Sequence, residues 1–493
     1  MGATMATRRV LVLAVSLILA TSGCRWIVRA SVDSRGDQAN GGSGGAELSA
    51  DGRFVAFVSD ASNLVPNDTN GESDVFVRDN RTGAVERVFE GTAGLVDISE
   101  DGRYVAVHDF ALCRDLGARS AVFIRDRQSG ITECVSELFV PFVALSATAR
   151  FVAGSSPSAA AVFVLDRDTG QIETIPVPSG YLPAEGLGLS DDGRHVVFGT
   201  QPLGCVPFPS PCPPLAHVFV HDRQTGTTER MPLPPPGAVY SSNPSISGDG
   251  RWVAYQIGTR DPLDPAICCE RSAWIYDRQA GLAEPVSVFP DGTLAQTHDP
   301  DNAPDISDDG RFVVFVSSEA LDPTSPTFAG TGLYVHDVAE NRTTLVNRNA
   351  FGVPAPEQMF GHTLADDGRY VAFTSLSTNL VANDTNGASD VFLRANPTPR
   401  VESVTPPAVP RGRSVILNIV GDGFAPAPTA GVSGEGVAVT AVTRLSEHKL
   451  SVKIKVDKLA LTGPRTVIVK NTGTGPGPTA GDSGACSGCL TIT

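Results

Sequence analysis

The chain has 493 residues and a formal charge of -16, with 50 Gly, 37 Pro and a charged fraction of 19%. Few charges and many turn residues exclude a helix-rich architecture and favour strands joined by turns. The acidity excludes a nucleic-acid partner, because phosphate binding needs a basic face, and the length exceeds one ordinary compact domain unless the chain grows by repeated units.

The N-terminus reads "MGATMATRRVLVLAVSLILATSGCRW", with Arg8 and Arg9, an apolar run from Val10 to Ala20, and small residues leading to Cys24. This is the three-part plan of an export signal, and the run is too short for a permanent membrane helix. The expected location is extracytoplasmic: periplasmic, membrane-anchored or secreted. "LATSGC" resembles a bacterial lipoprotein signal, with Thr21 where that family prefers Leu; the resemblance implies a lipid on Cys24, and ordinary cleavage nearby is the alternative. A lipid of this kind is the one membrane contact expected.

Loss of Cys24 from the nine cysteines leaves eight, which can pair fully in an oxidising compartment. Local spacing suggests Cys113 with Cys134, Cys205 with Cys212, and Cys486 with Cys489. Cys268 and Cys269 have no evident partners.

From Ser49 onward a unit recurs. "DGR" stands at Asp51, Asp101, Asp192, Asp249, Asp309 and Asp367, with a degenerate form, "SATARFVAG", around Ala149. Each unit has a short stretch ending in Ser, such as "PSIS" at 244–247, the turn, an alternating strand such as "RFVVF", a variable loop, a second strong strand such as "VFVHD", a turn such as "RQTG" and a further strand. Four strands per unit cannot bury both faces of an isolated sheet, so neighbouring sheets must stack, and seven around an axis make a β-propeller. The seventh unit stops after its third strand at Ala395, and "WIVRASVD" at 26–33 reads as its missing fourth strand, latching the ring shut.

"ISDDGRFVVFVSS" followed by a "VFVHDRQTG"-type strand resembles the WD-repeat-like blades of TolB-family periplasmic propellers, over roughly residues 27 to 395. The resemblance implies fold far more than function, since that family includes scaffolds, sensors and propellers attached to peptidases. "PRVESVTPPAVPRGRSVILNIVGDGF" at 399–424 and the closing "ACSGCLTIT" resemble an IPT/TIG domain, a small immunoglobulin-like sandwich that implies a spacer or adhesion module. The expected fold class is all-β, with a signal peptide at 1–24, a seven-bladed propeller at 25–395, a linker at 396–400 and the sandwich at 401–493.

Several motifs invite chemistry. The repeated "NDTNG", followed by Asp74 or Asp390, offers a calcium reading through Asp68, Asn70, Asp74, Asp384, Asn386 and Asp390. The spacing departs from an EF-type loop, so an Asn-Gly hairpin turn is the simpler account and no metal is expected. "GDSGA" at 481–485 lacks the barrel that a nucleophilic serine needs, and "CSGC" lacks a second zinc-ligand pair. The pairs Asp191 with Asp192, Asp308 with Asp309, and Asp366 with Asp367 occupy the repeated turn, where Asp serves backbone geometry. His221 and His336 hold places that sister units give to Arg, and are expected on strand surfaces.

All the long insertions fall on the face opposite the short turns, which is where repeat proteins build binding surfaces. The residues just before each innermost strand make Tyr240, His298, Asp299, Gln358 and His362 the candidates there. The expected function is non-catalytic binding of a protein or cell-envelope partner through that face, without cofactor. The alternative is a propeller-type hydrolase or lyase acting on a glycan or peptide through acids and His near the mouth.

Overall fold

The computed structural model describes residues 27–493, apart from 92, 110–120, 137–141, 157–158, 204–215, 260–269, 296–302, 323–329, 350–351, 358, 397–398, 425–427, 447–448 and 472–482. The described residues are strands and turns, with no helix among them.

Among the described residues, those between 27 and 395 form seven antiparallel four-stranded sheets. Their inner strands, taken in chain order, are Ser43–Leu48, Ala93–Ile98, Val143–Leu145, Tyr181–Leu189, Ala238–Ile246, Asp305–Ile306 and Met359–Leu364, and these number sheets 1 to 7. Each inner strand contacts the next, and Met359–Leu364 contacts Ser43–Leu48, so the sheets close a circle around an axis: a β-propeller. The apolar core is divided accordingly into clusters between adjacent sheets, such as Ala56, Val77, Ile98 and Val105 between sheets 1 and 2. The outer strand of sheet 7 comes from the other end of the chain. Ile27–Arg29 pairs antiparallel with Asp390–Ala395, Ile27 opposite Arg394.

The recurring turn is held by its own side chains. In sheet 1 the Arg53 N–H donates to Asp51 Oδ1, the Ser49 hydroxyl donates to the same oxygen, and Ser49 Oγ accepts the Phe54 N–H. Arg53 then ion-pairs with Asp79 at the end of the third strand, at 2.7 Å. The Arg–Asp pair recurs as Arg103–Asp126, Arg150–Asp166, Arg194–Asp222, Arg251–Asp277 and Arg311–Asp337. In sheet 7 the Asp position is Ala395, and Arg369 ion-pairs instead with Glu402 of the C-terminal unit. The degenerate sheet 3 keeps all four strands, with Ala149 at φ 54 where sister turns have Gly. In sheet 6, where "DVAEN" replaces "DRQTG", Asn341 takes φ 46 in the same way.

Residues 400–492 form two further four-stranded sheets, with strand order 400–405, 414–422, 449–456, 437–446 in one and 408–409, 483–492, 463–471, 428–432 in the other. Their apolar faces meet in one core containing Leu417, Ile454, Val469 and Leu490. Cys486 and Cys489 form a disulfide there. Cys134 is also disulfide-bonded, whereas Cys24, Cys113, Cys205, Cys212, Cys268 and Cys269 lie outside the described residues.

Candidate functional site

The inner strands end in a ring of hydrogen bonds around the propeller axis. The N–H of Ala50 donates to the Glu100 carbonyl, Glu100 to Ala147, Ala147 to Asp191, and Asp191 to Gly248. The Asp308 N–H donates to the Asp366 carbonyl, and the Asp367 N–H closes the circuit on Ala50. Between Gly248 and Asp308 the link is made by a side chain, with the Gly248 N–H on Asp308 Oδ1 at 3.0 Å. Of the residues held in this ring, Glu100, Asp191, Asp308 and Asp366 turn their side chains into the axial space.

That space is a channel of about 160 Å³ lined in two layers. Nearer the short turns stand Glu100, Asp191, Asp308 and Asp366; three residues earlier on the strands, about 10 Å along, stand Glu47, Asp97 and Asp305. Seven carboxyl groups from five sheets therefore converge. No Lys, Arg or His lines the channel among the described residues.

The two layers differ in how their oxygens are used. Asp97 accepts the N–H groups of Ile98 and of Leu145 in the next sheet, and Asp305 ties three sheets by accepting from the Ser245 hydroxyl and the Leu364 N–H. These hold neighbouring sheets together. In the lower layer, Glu100, Asp308 and Asp366 each place a carboxylate oxygen within 4.8 Å of the others, and Glu100 Oε1 is shut from solvent while its carboxyl hydrogen-bonds with that of Asp191.

Electrostatics follow from burial and crowding. Burial, then the Asp191 charge, pushes Glu100 up to about 7. Burial and the same neighbour push Asp308 up to about 7, and burial raises Asp97 to about 6. Burial together with neighbouring carboxylates also drives Glu47 and Asp366 well above the usual carboxylate range. Like charges in a poorly hydrated space resist joint ionisation, and a cation entering it would relieve that resistance. The donors are all oxygen, the preference of hard divalent ions such as calcium, magnesium or manganese.

The paired aspartates thus divide their work. Asp192, Asp309 and Asp367 cap the turn, as the sequence indicates, by accepting the N–H groups of Arg194, Arg311 and Arg369. Asp191, Asp308 and Asp366 face the channel, a role that turn geometry alone does not reveal.

The other residues singled out in the sequence are distributed differently. Tyr240 is 8% exposed and packs over Gly258 in sheet 5, while His362 sits half-buried on the inner strand of sheet 7, opposite Phe373. His298, Asp299 and Gln358 lie outside the described residues. His221 and His336 are buried rather than on strand surfaces, each with Nδ1 against a threonine hydroxyl, Thr228 and Thr343; burial lowers His336 to about 4.

The two "NDTNG" loops each meet a guanidinium. Asp68 and Asp74 both pair with Arg87, at 3.2 and 2.8 Å, and Asn70 donates to Asp74. Asp384 and Asp390 both pair with Arg29 of the closing strand, at 3.1 and 3.0 Å, while Asn386 donates to the Ala39 carbonyl. Arginine supplies at both places the positive charge that a calcium reading assigns to an ion. Asn67 and Asn383 hold the left-handed positions of these turns, at φ 64 and 60.

No protein-family profile matches the chain, and no curated protein matches it. Among solved structures it is similar to TolB from Acinetobacter baumannii, at 15% identity over 55% of this chain and 58% of that one, with a TM-score of 0.37. It is similar also to an oligogalacturonate lyase from Vibrio parahaemolyticus, at 12% identity over 75% and 93% of the two chains, TM-score 0.49. A third is the β-propeller domain of the Trilobed protease from Pyrococcus furiosus, at 12% identity over 72% and 95%, TM-score 0.45.

Proposed function

We propose that this chain is an exported, non-catalytic binding protein: a seven-bladed propeller, closed by its N-terminal strand, that holds a hard divalent cation in its central channel. The cation would sit between Glu100, Asp308 and Asp366. The carrying observation is the convergence of seven carboxyl groups on a channel lined by no cationic side chain among the described residues. Elsewhere in the propeller buried carboxylates are matched by arginine, as at Arg29 with Asp390.

Export rests on the signal-like segment at 1–24, which lies outside the described residues. The long-loop face, at the other end of the channel, is the surface for a protein or cell-envelope partner. The C-terminal pair of sheets is read as an immunoglobulin-like sandwich of the IPT/TIG type, serving as spacer or adhesion module.

The test is thermal unfolding of the mature protein from Arg25 onward at pH 7.5, with and without calcium, magnesium or manganese, beside the E100Q/D308N/D366N variant. A cation-dependent rise in Tm confined to the unaltered channel supports the reading. An equal rise in both proteins, or none in either, sinks it.

A second reading, a hydrolase or lyase acting on a glycan or peptide, draws on the near-neutral titration of Asp97, Glu100 and Asp308, the range general acid–base chemistry uses. Product release from polyuronates or peptides that disappears in the same triple variant would establish it.

A further inference from the structure

All five lysines of the chain lie between residues 449 and 470, so the propeller's positive charge is arginine alone. Residues 400–493 carry ten Lys and Arg against six Asp and Glu, in a chain whose overall charge is -16. The molecule is therefore an acidic propeller joined to a basic C-terminal unit.

Five of those ten basic side chains, Arg411, Arg413, Lys453, Lys455 and Lys458, lie toward one tip of that unit, whereas Lys449 and Lys470 sit at the far ends of their strands. Turns 410–413, 434–436 and 457–462 meet there: the Gly412 N–H donates to the Asp457 carbonyl, the Asp457 N–H to Gly436, and the Val456 N–H to Arg413. Lys453 and Lys455 leave the exposed face of strand 449–456, whose alternate residues Val452, Ile454 and Val456 fill the core. Lys458 continues the row into the turn, with Arg411 and Arg413 exposed beside it.

Leu459 and Leu461 project from the same turn. They are 89% and 73% exposed, more than any other large apolar side chain among the described residues. Between them Ala460 is buried in the core, so the turn is anchored while its two leucines stand in water. The nearby acids are Asp457, whose carboxylate accepts the Leu459 N–H at 2.8 Å, and Glu435 in the adjoining turn.

We infer that this tip docks on an anionic phospholipid surface. Leucines on a protruding turn suit the boundary between headgroups and acyl chains, and a lysine collar suits the negative surface potential above it. Lysine's flexible point charge adapts to a moving array of headgroups, whereas the planar arginine forks of the propeller are fixed in ion pairs. The separation of charge also sets orientation, because the acidic propeller is repelled by the surface that attracts the tip.

The experiment is co-sedimentation of the mature protein, produced without its signal and therefore without any lipid, with phosphatidylglycerol vesicles and with phosphatidylcholine vesicles. Binding to the anionic vesicles should exceed that to the neutral ones by about tenfold, and fall toward the neutral level in both L459S/L461S and K455E/K458E. These side chains are exposed, so the Tm of each variant should stay at that of the parent, separating lost docking from lost folding. Binding that ignores the lipid charge, or that survives both double substitutions, overturns the inference. So does a soluble protein partner that needs these residues while vesicles of either kind do not bind.

Discussion

The Gly248 N–H donates to Asp308 Oδ1 at 3.0 Å, and this is the link at which the axial ring is completed by a side chain, the other six using backbone carbonyls. Asp308 also places a carboxylate oxygen with those of Glu100 and Asp366. One carboxyl group thus joins ring closure to the channel's charge, and the two roles can be separated by substitution. Asn keeps an acceptor for Gly248 and removes the charge; Ala removes both. D308A should lose about 1–2 kcal/mol, the cost of an unsatisfied buried donor. D308N should unfold at or above the parent's temperature at pH 8, while the response to divalent cations weakens. Urea unfolding of the two variants side by side measures this.

Stability should fall as pH rises from about 5 to 8. An unfolded chain ionises its carboxyls near pH 4, whereas Asp97 titrates near 6 and Glu100 and Asp308 near 7 in the fold. Their folded values are raised, so the folded state holds more protons across that window. The stability linked to those protons is complete below pH 4 and lost as pH passes through 6 and 7. The Arg–Asp pairs act in the opposite sense at lower pH: hydrogen bonds from Arg53, Arg150 and Arg251 hold Asp79, Asp166 and Asp277 near 2, and that contribution disappears as pH falls toward 2. A Tm profile should therefore peak near pH 4 to 5 and drop by roughly 5 °C toward pH 8. A divalent cation should recover part of the drop at pH 8 and have little effect at pH 5.

The turn was legible in the sequence because Ser-x-Asp-Gly-Arg repeats one local solution, and each copy can be recognised from its sisters. The orphan strand at the N-terminus was legible for a related reason: the last unit is one strand short, and Ile27–Arg29 occupies that edge. The channel was not. Its upper layer is Glu47, Asp97, Ser245, Asp305 and Thr363, while sheets 3 and 4 have Ala144 and Gly188 at the matching sequence position, so no residue type recurs often enough there to stand out as a motif. In the lower layer an acid precedes the turn Asp at Glu100, Asp191, Asp308 and Asp366, and that excess was the available signal. It reads as turn chemistry until ring closure brings strands some fifty residues apart onto one axis. The partner of the second "NDTNG" loop was hidden likewise, since Arg29 lies over 350 residues from Asp384 and becomes its neighbour through the closing strand.

Removing that arginine should be costly. Asp384 and Asp390 side chains are 2% and 0% exposed, and Arg29 itself 7%. R29M leaves two buried carboxylates without their cation, a loss of about 3 to 5 kcal/mol for a broken buried pair. It also loosens the strand that holds sheets 7 and 1 together, so unfolding should begin at that seam. Hydrogen exchange of the R29M protein should show lost protection first in 390–395 and 43–48. Uniform loss across all seven sheets would mean that the seam has no special weakness.

The recurring glycine answers to two demands at once. Gly102 sits at φ 70, and a Cβ there would run into the Phe54 ring of the preceding sheet. Left-handed geometry alone costs a non-glycine residue about 1–2 kcal/mol, and the steric clash adds to it. G102A should therefore destabilise by at least about 2 kcal/mol. Sheet 3 provides the contrast, because Ala149 already occupies the matching position at φ 54. Replacing it by glycine relieves the backbone strain but gives the unfolded chain more freedom, worth about 0.4–1 kcal/mol in the other direction, so A149G should change stability by less than about 1 kcal/mol. Urea titrations of the two variants compare these effects directly. Equal and small changes in both would show that the φ at this turn carries little strain and that the aromatic ring moves aside at little cost.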